Sequence, residues 1–221
     1  SKLKIIHVTN FNQRYFGRLQ YNTGIRLNNG LIRLGHNVIS LSDRDIINYS
    51  KSFKDPTGSK YLNNLISETI NNFKPDLLIL GHADKINNET LLEAKSKHSD
   101  LTITQWFLDP ISRKGPDYQK NKARILDKID SMDATFATTD PESLDFKINN
   151  SFFIPNPCDK SLDNLKNFWL IDPIDGTHDY INDRDEFTIN AGLIINNRPE
   201  IGIIFAPAKK RLFYSYHEGM S

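Results

Sequence analysis

The sequence predicts an α/β fold: a Rossmann-like parallel sheet with helices on both faces, followed by a partial antiparallel β-meander. In residues 1–160, short apolar runs alternate with segments of helical apolar spacing, which is typical of a doubly wound parallel sheet. Residues 187–216 instead contain strand-like runs separated by short turns. A hydrophobic content of 38% over 221 residues is sufficient to bury a core.

The first domain, which we place at residues 1–160, begins with a strand–helix–strand unit. Buried strands are predicted over residues 3–8 and 37–41. Between them, Ile25, Leu27 and Leu31 recur at helical spacing, and Gly35 provides a C-terminal cap. The same alternation predicts helices over 61–73, 89–97 and 117–129, a short helix after Pro141, and strands over 76–81, 101–107, 134–139 and 152–154.

Ligands of doubly wound sheets bind beyond the carboxyl ends of the strands, so the loops that follow the strands are candidate binding segments. Residues 10–18 form a long polar and aromatic loop suited to a sugar or a phosphate. His82 and Asp84 follow the third strand, and Asp109 follows the fourth. No glycine-rich dinucleotide or ATP motif is present in the sequence.

Two Asp-Arg-Asp triplets stand at residues 43–45 and 183–185. Charged residues make up 25% of the chain, so such triplets arise easily by chance. We interpret both triplets as surface charge.

A different pattern follows a polar join, which we place at residues 161–168. Strands are predicted over residues 187–195, 200–206 and 212–216, and short turns connect them. This is the pattern of an antiparallel meander. We therefore place a second, partial domain at residues 169–221.

The densest chemistry lies in residues 169–180, Trp-Leu-Ile-Asp-Pro-Ile-Asp-Gly-Thr-His-Asp-Tyr. The apolar start predicts a buried strand end that delivers Asp172 to a surface, and Pro173 stops the strand from continuing as a central one. Residues 106–111, Trp-Phe-Leu-Asp-Pro-Ile, repeat this start but continue with Ser-Arg-Lys in place of Asp-Gly-Thr. We interpret that repeat as coincidental.

The residues after this strand end predict a metal and phosphate site. The carboxylates of Asp172 and Asp175 and the carbonyl of Ile174 are expected to converge on one point, and Mg²⁺ prefers such oxygen ligands. Gly176 permits close approach of the backbone to a ligand. Thr177 offers an amide and a hydroxyl at a predicted helix start, where anions are favoured.

Residues 169–180 resemble the signature of the inositol monophosphatase family of metal-dependent phosphomonoesterases. Residues 185–190 and 203–207 are most similar to the branch of that family that hydrolyses 3'(2'),5'-bisphosphate nucleotides. The resemblance implies a phosphoric monoester hydrolase. It also implies a small phosphorylated substrate, either a nucleotide bisphosphate or a sugar or inositol phosphate.

The resemblance further implies a role for each residue of the motif. Asp172, the Ile174 carbonyl and Asp175 would coordinate the Mg²⁺ cofactor, and the amides of Gly176 and Thr177 would bind the substrate phosphate. Asp175 and Thr177 are the expected catalytic residues, with the Thr177 hydroxyl orienting the attacking water. In such sites the metal converts water into a nucleophile near neutral pH and neutralises the leaving oxygen.

Two parts of the family pattern have no counterpart here. The family uses a glutamate in a Gly-Glu-Glu-like segment upstream and an aspartate in a Trp-Asp segment near the carboxyl terminus. No such acidic pair precedes Trp169, and no aspartate follows Asp185. We therefore expect an incomplete site whose metal affinity and rate are both reduced.

The first domain has a resemblance of its own. Residues 153–159, Phe-Ile-Pro-Asn-Pro-Cys-Asp, are similar to the segment that ends the amino-terminal sheet of GT-B glycosyltransferases, and residues 1–166 resemble that acceptor-side half. No donor domain follows. The sequence thus leaves three readings open: a phosphatase, a glycosyltransferase acceptor domain that lacks its donor domain, and a non-enzymatic fusion remnant.

Composition restricts the partners and the compartment. The net charge of +1 argues against binding nucleic acid or membranes through bulk charge, and no run is long enough to span a membrane. A single cysteine, Cys158, suits a reducing compartment, and residues 1–8 lack the cleavage site of a signal peptide. We expect a cytoplasmic protein, and the sequence leaves its oligomeric state open.

Overall fold

The computed structural model describes residues 2–19, 21–111, 113, 117–163, 166–196 and 198–216, without the side chains of residues 160, 173, 177, 178 and 216. The chain divides into two compact units, Ser1–Asp159 and Lys160–Ser221. Within the predicted join, Lys160–Asp163 is a short helix and a strand begins at Asn167. No helix among the described residues is both long and apolar enough to cross a membrane.

The first unit is a parallel sheet with helices on both faces, as predicted. Its strands are β1 (Lys4–Thr9), β2 (Asn37–Ser42), β3 (Leu77–Gly81), β4 (Thr102–Phe107), β5 (Ala134–Ala137) and β6 (Ser151–Phe153), in the order β2-β1-β3-β4-β5-β6. Its helices are α1 (Thr23–Arg33), α2 (Asp43–Ser50), α3 (Ser59–Phe73), α4 (Asn88–Lys97) and α5 (Tyr118–Asp127), with 3-10 turns at Gln13–Tyr15, Ile129–Ser131 and Pro141–Ser143. The chain reverses direction across the sheet at β1, and loops from both sides of that switch meet at the carboxyl edge.

The main core forms between the sheet and helices α3 and α4. Ile6 and Val8 of β1 point to this side, where they join Leu62, Ile66 and Ile70 of α3. The four-residue spacing on α3 places these side chains on one helical face. Each is essentially fully buried, and burial of one such side chain contributes about 1.5–3 kcal/mol.

The opposite face of β1 carries a buried histidine. The His7 Nε2 accepts a hydrogen bond from the Trp106 indole at 3.2 Å, and its Nδ1 lies 3.1 Å from the Asn28 Oδ1 on α1. Because Nε2 accepts, the proton of the neutral ring is on Nδ1, where it is donated to Asn28. Burial lowers the pKa of His7 from 6.5 to about 4, against a smaller opposing effect of the Asn28 bond, so the ring is neutral at pH 7.

Helix α2 is absent from the sequence-based prediction. It begins directly after β2, so no turn residues separate the two elements. Asp43 and Asp45 lie in its first turn, where carboxylates interact favourably with the helix dipole. The interpretation of residues 43–45 as surface charge is wrong for both aspartates, because Asp43 is 2% exposed and Asp45 is 1% exposed.

The second unit is an antiparallel four-stranded sheet. Its strands are β7 (Asn167–Asp175), β8 (Thr188–Ile195), β9 (Arg198–Ala206) and β10 (Arg211–Tyr216), in the order β10-β9-β8-β7, and its helices are α6 (Lys160–Asp163) and α7 (Thr177–Ile181). The predicted meander is therefore confirmed, with β7 as an additional edge strand. The other Asp-Arg-Asp triplet, residues 183–185, is exposed as predicted.

The prediction of a buried strand end at residues 169–171 is half wrong. The segment is a strand, but Trp169, Leu170 and Ile171 are 49%, 64% and 60% exposed. The helices α6 and α7 have four and five residues, which is too short to cover the faces of a four-stranded sheet. An apolar run therefore remains exposed in this unit.

Candidate functional sites

The candidate metal-binding residues lie at an irregularity in β7. Asp172 pairs with Asn190 of β8, and Asp175 pairs with Thr188. Three steps along β7 thus match two steps along β8, so β7 contains one extra residue, a β-bulge. Residues three apart in a regular strand point to opposite faces, and the extra residue restores the two carboxylates to one face.

Proline is compatible with this position because β7 is the edge strand of its sheet. Pro173 has no N–H to donate, and a bulge on an edge strand requires none. The Ile174 N–H turns back to the Asp172 Oδ1 at 3.3 Å. The prediction that Pro173 keeps this strand from being a central one is confirmed.

The strand β8 supplies a polar neighbour to both aspartates. The Asn190 Nδ2 donates a hydrogen bond to the Asp175 Oδ2 at 3.0 Å, and Asn190 is also the direct cross-strand partner of Asp172. Directly opposed residues of an antiparallel pair have their side chains on the same face. Both carboxylates therefore lie beside the side chain of Asn190.

Gly176 links the bulge to helix α7. Its φ of +86° lies in the left-handed region, and a Cβ at this position would lie 2.8 Å from the Glu186 carbonyl oxygen. The Gly176 carbonyl accepts the amides of Asp179 and Tyr180 at 2.9 and 3.1 Å, which starts the helix. The Tyr180 ring packs edge-on against Phe187, with ring centroids 5.0 Å apart. Only glycine fits this turn without strain.

The structure thus places Asp172, Ile174, Asp175 and Gly176 at or next to one bulge. Thr177 is the first residue of α7, and the predicted contribution of its hydroxyl falls on a side chain outside the described residues. The roles of these residues in metal and phosphate binding stay predictions.

The chemistry of the site fits Mg²⁺. Asp172 and Asp175 are exposed carboxylates, and Mg²⁺ is commonly held by one or two carboxylates while it keeps several waters. The neutral amide of Asn190 beside them donates to Asp175 and leaves the negative charge of the carboxylate available to a cation. The described residues contain no cluster of three or more His, Cys, Asp or Glu side chains suited to a metal, so the pair would act without a third such ligand from this part of the chain.

The first unit has a separate candidate site at the carboxyl edge of its sheet. A pocket of about 450 Å³ lies beyond strands β1 to β4. Its lining includes four residues of the predicted loop candidates, namely Asn10, Asn12, His82 and Asp109. Sequence reasoning missed other lining residues: Tyr21, Arg26, Asp43, Arg44 and Trp106. The volume lies within the usual range of small-molecule sites, and the lining is mostly polar with the aromatic rings of Tyr21 and Trp106.

Asp45 holds the loop at the rim of this pocket. Its carboxylate accepts the amides of Gln13 and Arg14 at 2.7 and 3.1 Å, the Arg14 guanidinium at 2.8 Å, and the Ser42 hydroxyl. Burial alone would raise the pKa of Asp45, but these hydrogen bonds outweigh it and lower the pKa. Asp45 is therefore ionised at neutral pH and anchors the loop.

The pKa of Asp43 is shifted in the opposite direction to that of Asp45. Burial raises its pKa from 3.8 to about 6, with part of the effect offset by the Arg44 cation and backbone amide. Arg44 itself is bound more closely by Asp84, at 2.6 Å, than by the Asp43 carboxylate at 3.7 Å. The pocket wall thus contains a buried acid that is weakly compensated.

His82 and Asp109 lie next to each other in the lining of the pocket. The His82 Nε2 lies 3.7 Å from the Asp109 Oδ2, and the His82 ring stacks on Phe107 at 4.8 Å. Burial lowers the pKa of His82, although Asp109 acts in the opposite direction. Arg124 lies 3.8 Å from the same Asp109 oxygen, so the carboxylate is shared between two partners.

Two sequence signals were available for the missed pocket residues. Asp43 and Arg44 directly follow a strand, which is the position at which the other candidates were found. Trp106 belongs to the repeat at residues 106–111, whose apolar start ends β4 at the pocket. Position at the carboxyl end of a parallel strand was therefore a better guide than residue type.

Comparison with known proteins matches residues 145–220 to the family model described as the Inositol monophosphatase family. The 3'(2'),5'-bisphosphate nucleotidase CysQ of Salmonella typhimurium is 42% identical over 48 residues, which are 22% of this chain and 20% of that protein. CysQ of Escherichia coli K12 is 42% identical over 52 residues, 24% of this chain and 21% of that protein. The chain thus spans about a fifth of the length of these curated relatives.

Solved structures of the same family are also similar. CysQ from Bacteroides thetaiotaomicron is 23% identical with a TM-score of 0.26, covering 45% of this chain and 32% of that one. An inositol monophosphatase from Anabaena is 35% identical with a TM-score of 0.23, covering 24% and 22%. None of these matches supports the glycosyltransferase resemblance of residues 1–166.

Proposed function

We propose that the second unit carries the metal- and phosphate-binding segment of a Mg²⁺-dependent phosphomonoesterase. The proposed substrate is a small phosphorylated molecule of the 3'(2'),5'-bisphosphate nucleotide class, by analogy with the CysQ relatives. The observation that carries the proposal is the bulge in β7, which puts Asp172 and Asp175 on one face of the sheet. A bound Mg²⁺ would supply an activated water and would neutralise the leaving oxygen.

The residues of the chain would divide the remaining work. Asp172, Asp175 and the Ile174 carbonyl would hold the cation, and the backbone amides of Gly176 and Thr177 would hold the phosphate. Gly176 is suited to this role because its left-handed conformation turns the chain sharply after the second carboxylate. The Thr177 hydroxyl would orient the attacking water.

Two carboxylates give a weak site, because each further anionic ligand adds to the attraction for the cation. The described residues offer no third acidic or histidine side chain at this position. We therefore propose low Mg²⁺ affinity and slow turnover for this chain. The sequence also lacks a counterpart of the family's upstream glutamate and of its later aspartate, which agrees with a weak site.

Phosphate release from adenosine 3',5'-bisphosphate, measured by malachite green with and without Mg²⁺, tests the proposal. Asp175→Asn should abolish the Mg²⁺-dependent release, because it removes one of two anionic ligands. Asp183→Asn is the matched control, since it makes the same change at an exposed aspartate with positive φ, a conformation that asparagine also adopts. Equal release from the wild type and Asp175→Asn would rule out the proposed function.

A second candidate function concerns the pocket of the first unit. We propose that it binds a hydroxylated small molecule such as a sugar, in line with an acceptor-side half of a GT-B glycosyltransferase. The supporting observation is the pocket at the carboxyl edge, whose lining combines Asn10, Asn12 and Asp109 with the aromatic rings of Tyr21 and Trp106. Sugar transfer is then expected only when a separate donor domain is added.

Tryptophan fluorescence tests this binding. The chain has two tryptophans, so Trp169→Phe leaves Trp106 as the sole reporter at the pocket. A panel of free hexoses and disaccharides should change its emission in a saturable way, and Tyr21→Ser should weaken the effect. Tyr49→Ser is the matched control, because Tyr49 is an exposed tyrosine outside the pocket lining. A flat response to every sugar would contradict the candidate function.

A further inference from the structure

We propose that Asn190 is a positioning residue of the metal site, acting through the NH₂ group of its side-chain amide. Its Nδ2 donates a hydrogen bond to the Asp175 Oδ2 and holds that carboxylate in the orientation in which it binds the cation. The proposal rests on the proposed function, since it requires Asp175 to bind Mg²⁺.

The contact with Asp175 restrains the carboxylate without neutralising it. The Nδ2 donates to Oδ2 at 3.0 Å, which leaves the other carboxylate oxygen available to a cation. A lysine or arginine in this place would compete with the metal for the negative charge. A neutral amide donor orients the group and preserves its charge.

The opposite end of the amide is buried. An ionised carboxylate only accepts hydrogen bonds, so the end of Asn190 that faces Asp175 must be the NH₂ group, and Oδ1 is turned away from that carboxylate. Within the part of the chain that the structure describes, Oδ1 is buried and makes no hydrogen bond. The NH₂ group is therefore the end of the side chain through which Asn190 acts on the metal ligand.

Asn190 lies beside both candidate metal ligands. It pairs directly with Asp172 across the strands and contacts Asp175. A partner that hydrogen-bonds to a metal ligand fixes the orientation of that ligand. Asn190 therefore restrains the Asp175 carboxylate next to that of Asp172.

Calorimetric titration of Mg²⁺ into the full chain tests the proposal without relying on activity. Asn190→Ala should weaken binding about 10- to 100-fold, the usual effect of removing a group that orients a metal ligand. Asn167→Ala is the matched control on the same sheet. It removes one hydrogen bond, from the Asn196 amide at 3.0 Å, about 17 Å along β7 from Asp172, and should leave the affinity unchanged.

A second measurement on the unmodified chain covers the case in which Asn190→Ala fails to fold. The side-chain NH₂ resonances of Asn190 should shift during Mg²⁺ titration with the same dissociation constant as the calorimetric curve. Unchanged affinity in a folded Asn190→Ala, or an NH₂ pair that stays in place while Mg²⁺ binds, overturns the proposal and leaves the proposed function standing. A wild-type chain that binds no Mg²⁺ overturns both.

Discussion

Replacement of Asp43 by asparagine should stabilise the first unit at neutral pH and have little benefit in acid. The carboxyl is 2% exposed, and its burial raises its pKa from 3.8 to about 6. The folded state therefore binds a proton more readily than the unfolded state. The stability that this protonation provides is fully present below pH 3.8 and is lost as the pH rises through about 6.

The magnitude follows from the size of the shift. A rise from 3.8 to about 6 corresponds to about 3 kcal/mol, because one pKa unit is worth about 1.4 kcal/mol. Asparagine retains an oxygen for the Arg44 amide, which donates to Asp43 at 2.7 Å, and it removes the buried charge. The advantage of Asp43→Asn over the wild type should thus grow by about 3 kcal/mol from well below pH 3.8 to pH 8, of which about 2 kcal/mol is gained between pH 4 and pH 8.

Asp45 provides a control of opposite sign in the same helical turn. Its pKa is lowered, so ionised Asp45 stabilises the folded state above pH 3.8, and this contribution is lost as the pH falls through the lowered value. Asp45→Asn should therefore become more harmful as the pH rises. The substitution should also loosen the loop that donates the Gln13 and Arg14 amides to the Asp45 carboxylate.

Urea denaturation at a series of pH values measures both effects. With Trp169 replaced by Phe, the emission of Trp106 in β4 reports the first unit alone. An Asp43→Asn advantage that is constant from pH 4 to pH 8 would refute the reasoning, because it would show that Asp43 titrates alike in both states. It would also be refuted if the changes in unfolding free energy caused by Asp43→Asn and Asp45→Asn varied with pH in the same direction.

Three further predictions concern other sites. Gly176→Ala should destabilise the second unit by about 1–2 kcal/mol from its positive φ alone, with more from the contact with the Glu186 carbonyl. Gly192→Ala is the control, because a Cβ there would lie 3.8 Å from the Ile201 carbonyl oxygen, and equal urea midpoints for the two variants would contradict the prediction. The imidazole of His7 should titrate near pH 4 by NMR, and a midpoint near 6.5 would show that it is not buried. If the chain is a non-enzymatic remnant, trypsin should cut near residue 165, for example at exposed Lys166, and degrade the tail, whereas a protected tail counts against that reading.

Most elements of the fold could be predicted because their apolar periodicity is local. The three apolar residues on α3 recur every four positions, and a neighbour in sequence is enough to detect that pattern. Helix α2 escaped prediction because it follows β2 without a turn, and its first turn is occupied by charged residues. The charged residues of this turn suggested that it is exposed to solvent. In the structure Asp45 is buried beside Arg14 of the loop, and Asp43 is buried beside Arg44 of the same helix.

Exposure in the second unit could not be predicted from residue type. Trp169, Leu170 and Ile171 have the composition of a buried strand, but burial also requires a layer that packs against the strand. The short helices α6 and α7 do not provide that layer. Whether an apolar run is buried depends on the elements that pack against it, and the residues of the run do not determine those elements.

By itself the sequence determined most of the strands and helices, and the acidic, glycine-containing motif of residues 172–177, because backbone preference and motif chemistry depend on near neighbours in the chain. Only the tertiary structure decided which side chains meet. The pairing of β7 with β8 revealed the extra residue that sets Asp172 and Asp175 on one face, and it placed Asn190 beside them. The order of the parallel strands likewise brought loops far apart in sequence to one pocket. Register and strand order depend on contacts between distant segments, and a shift of one residue reverses the face on which every side chain lies.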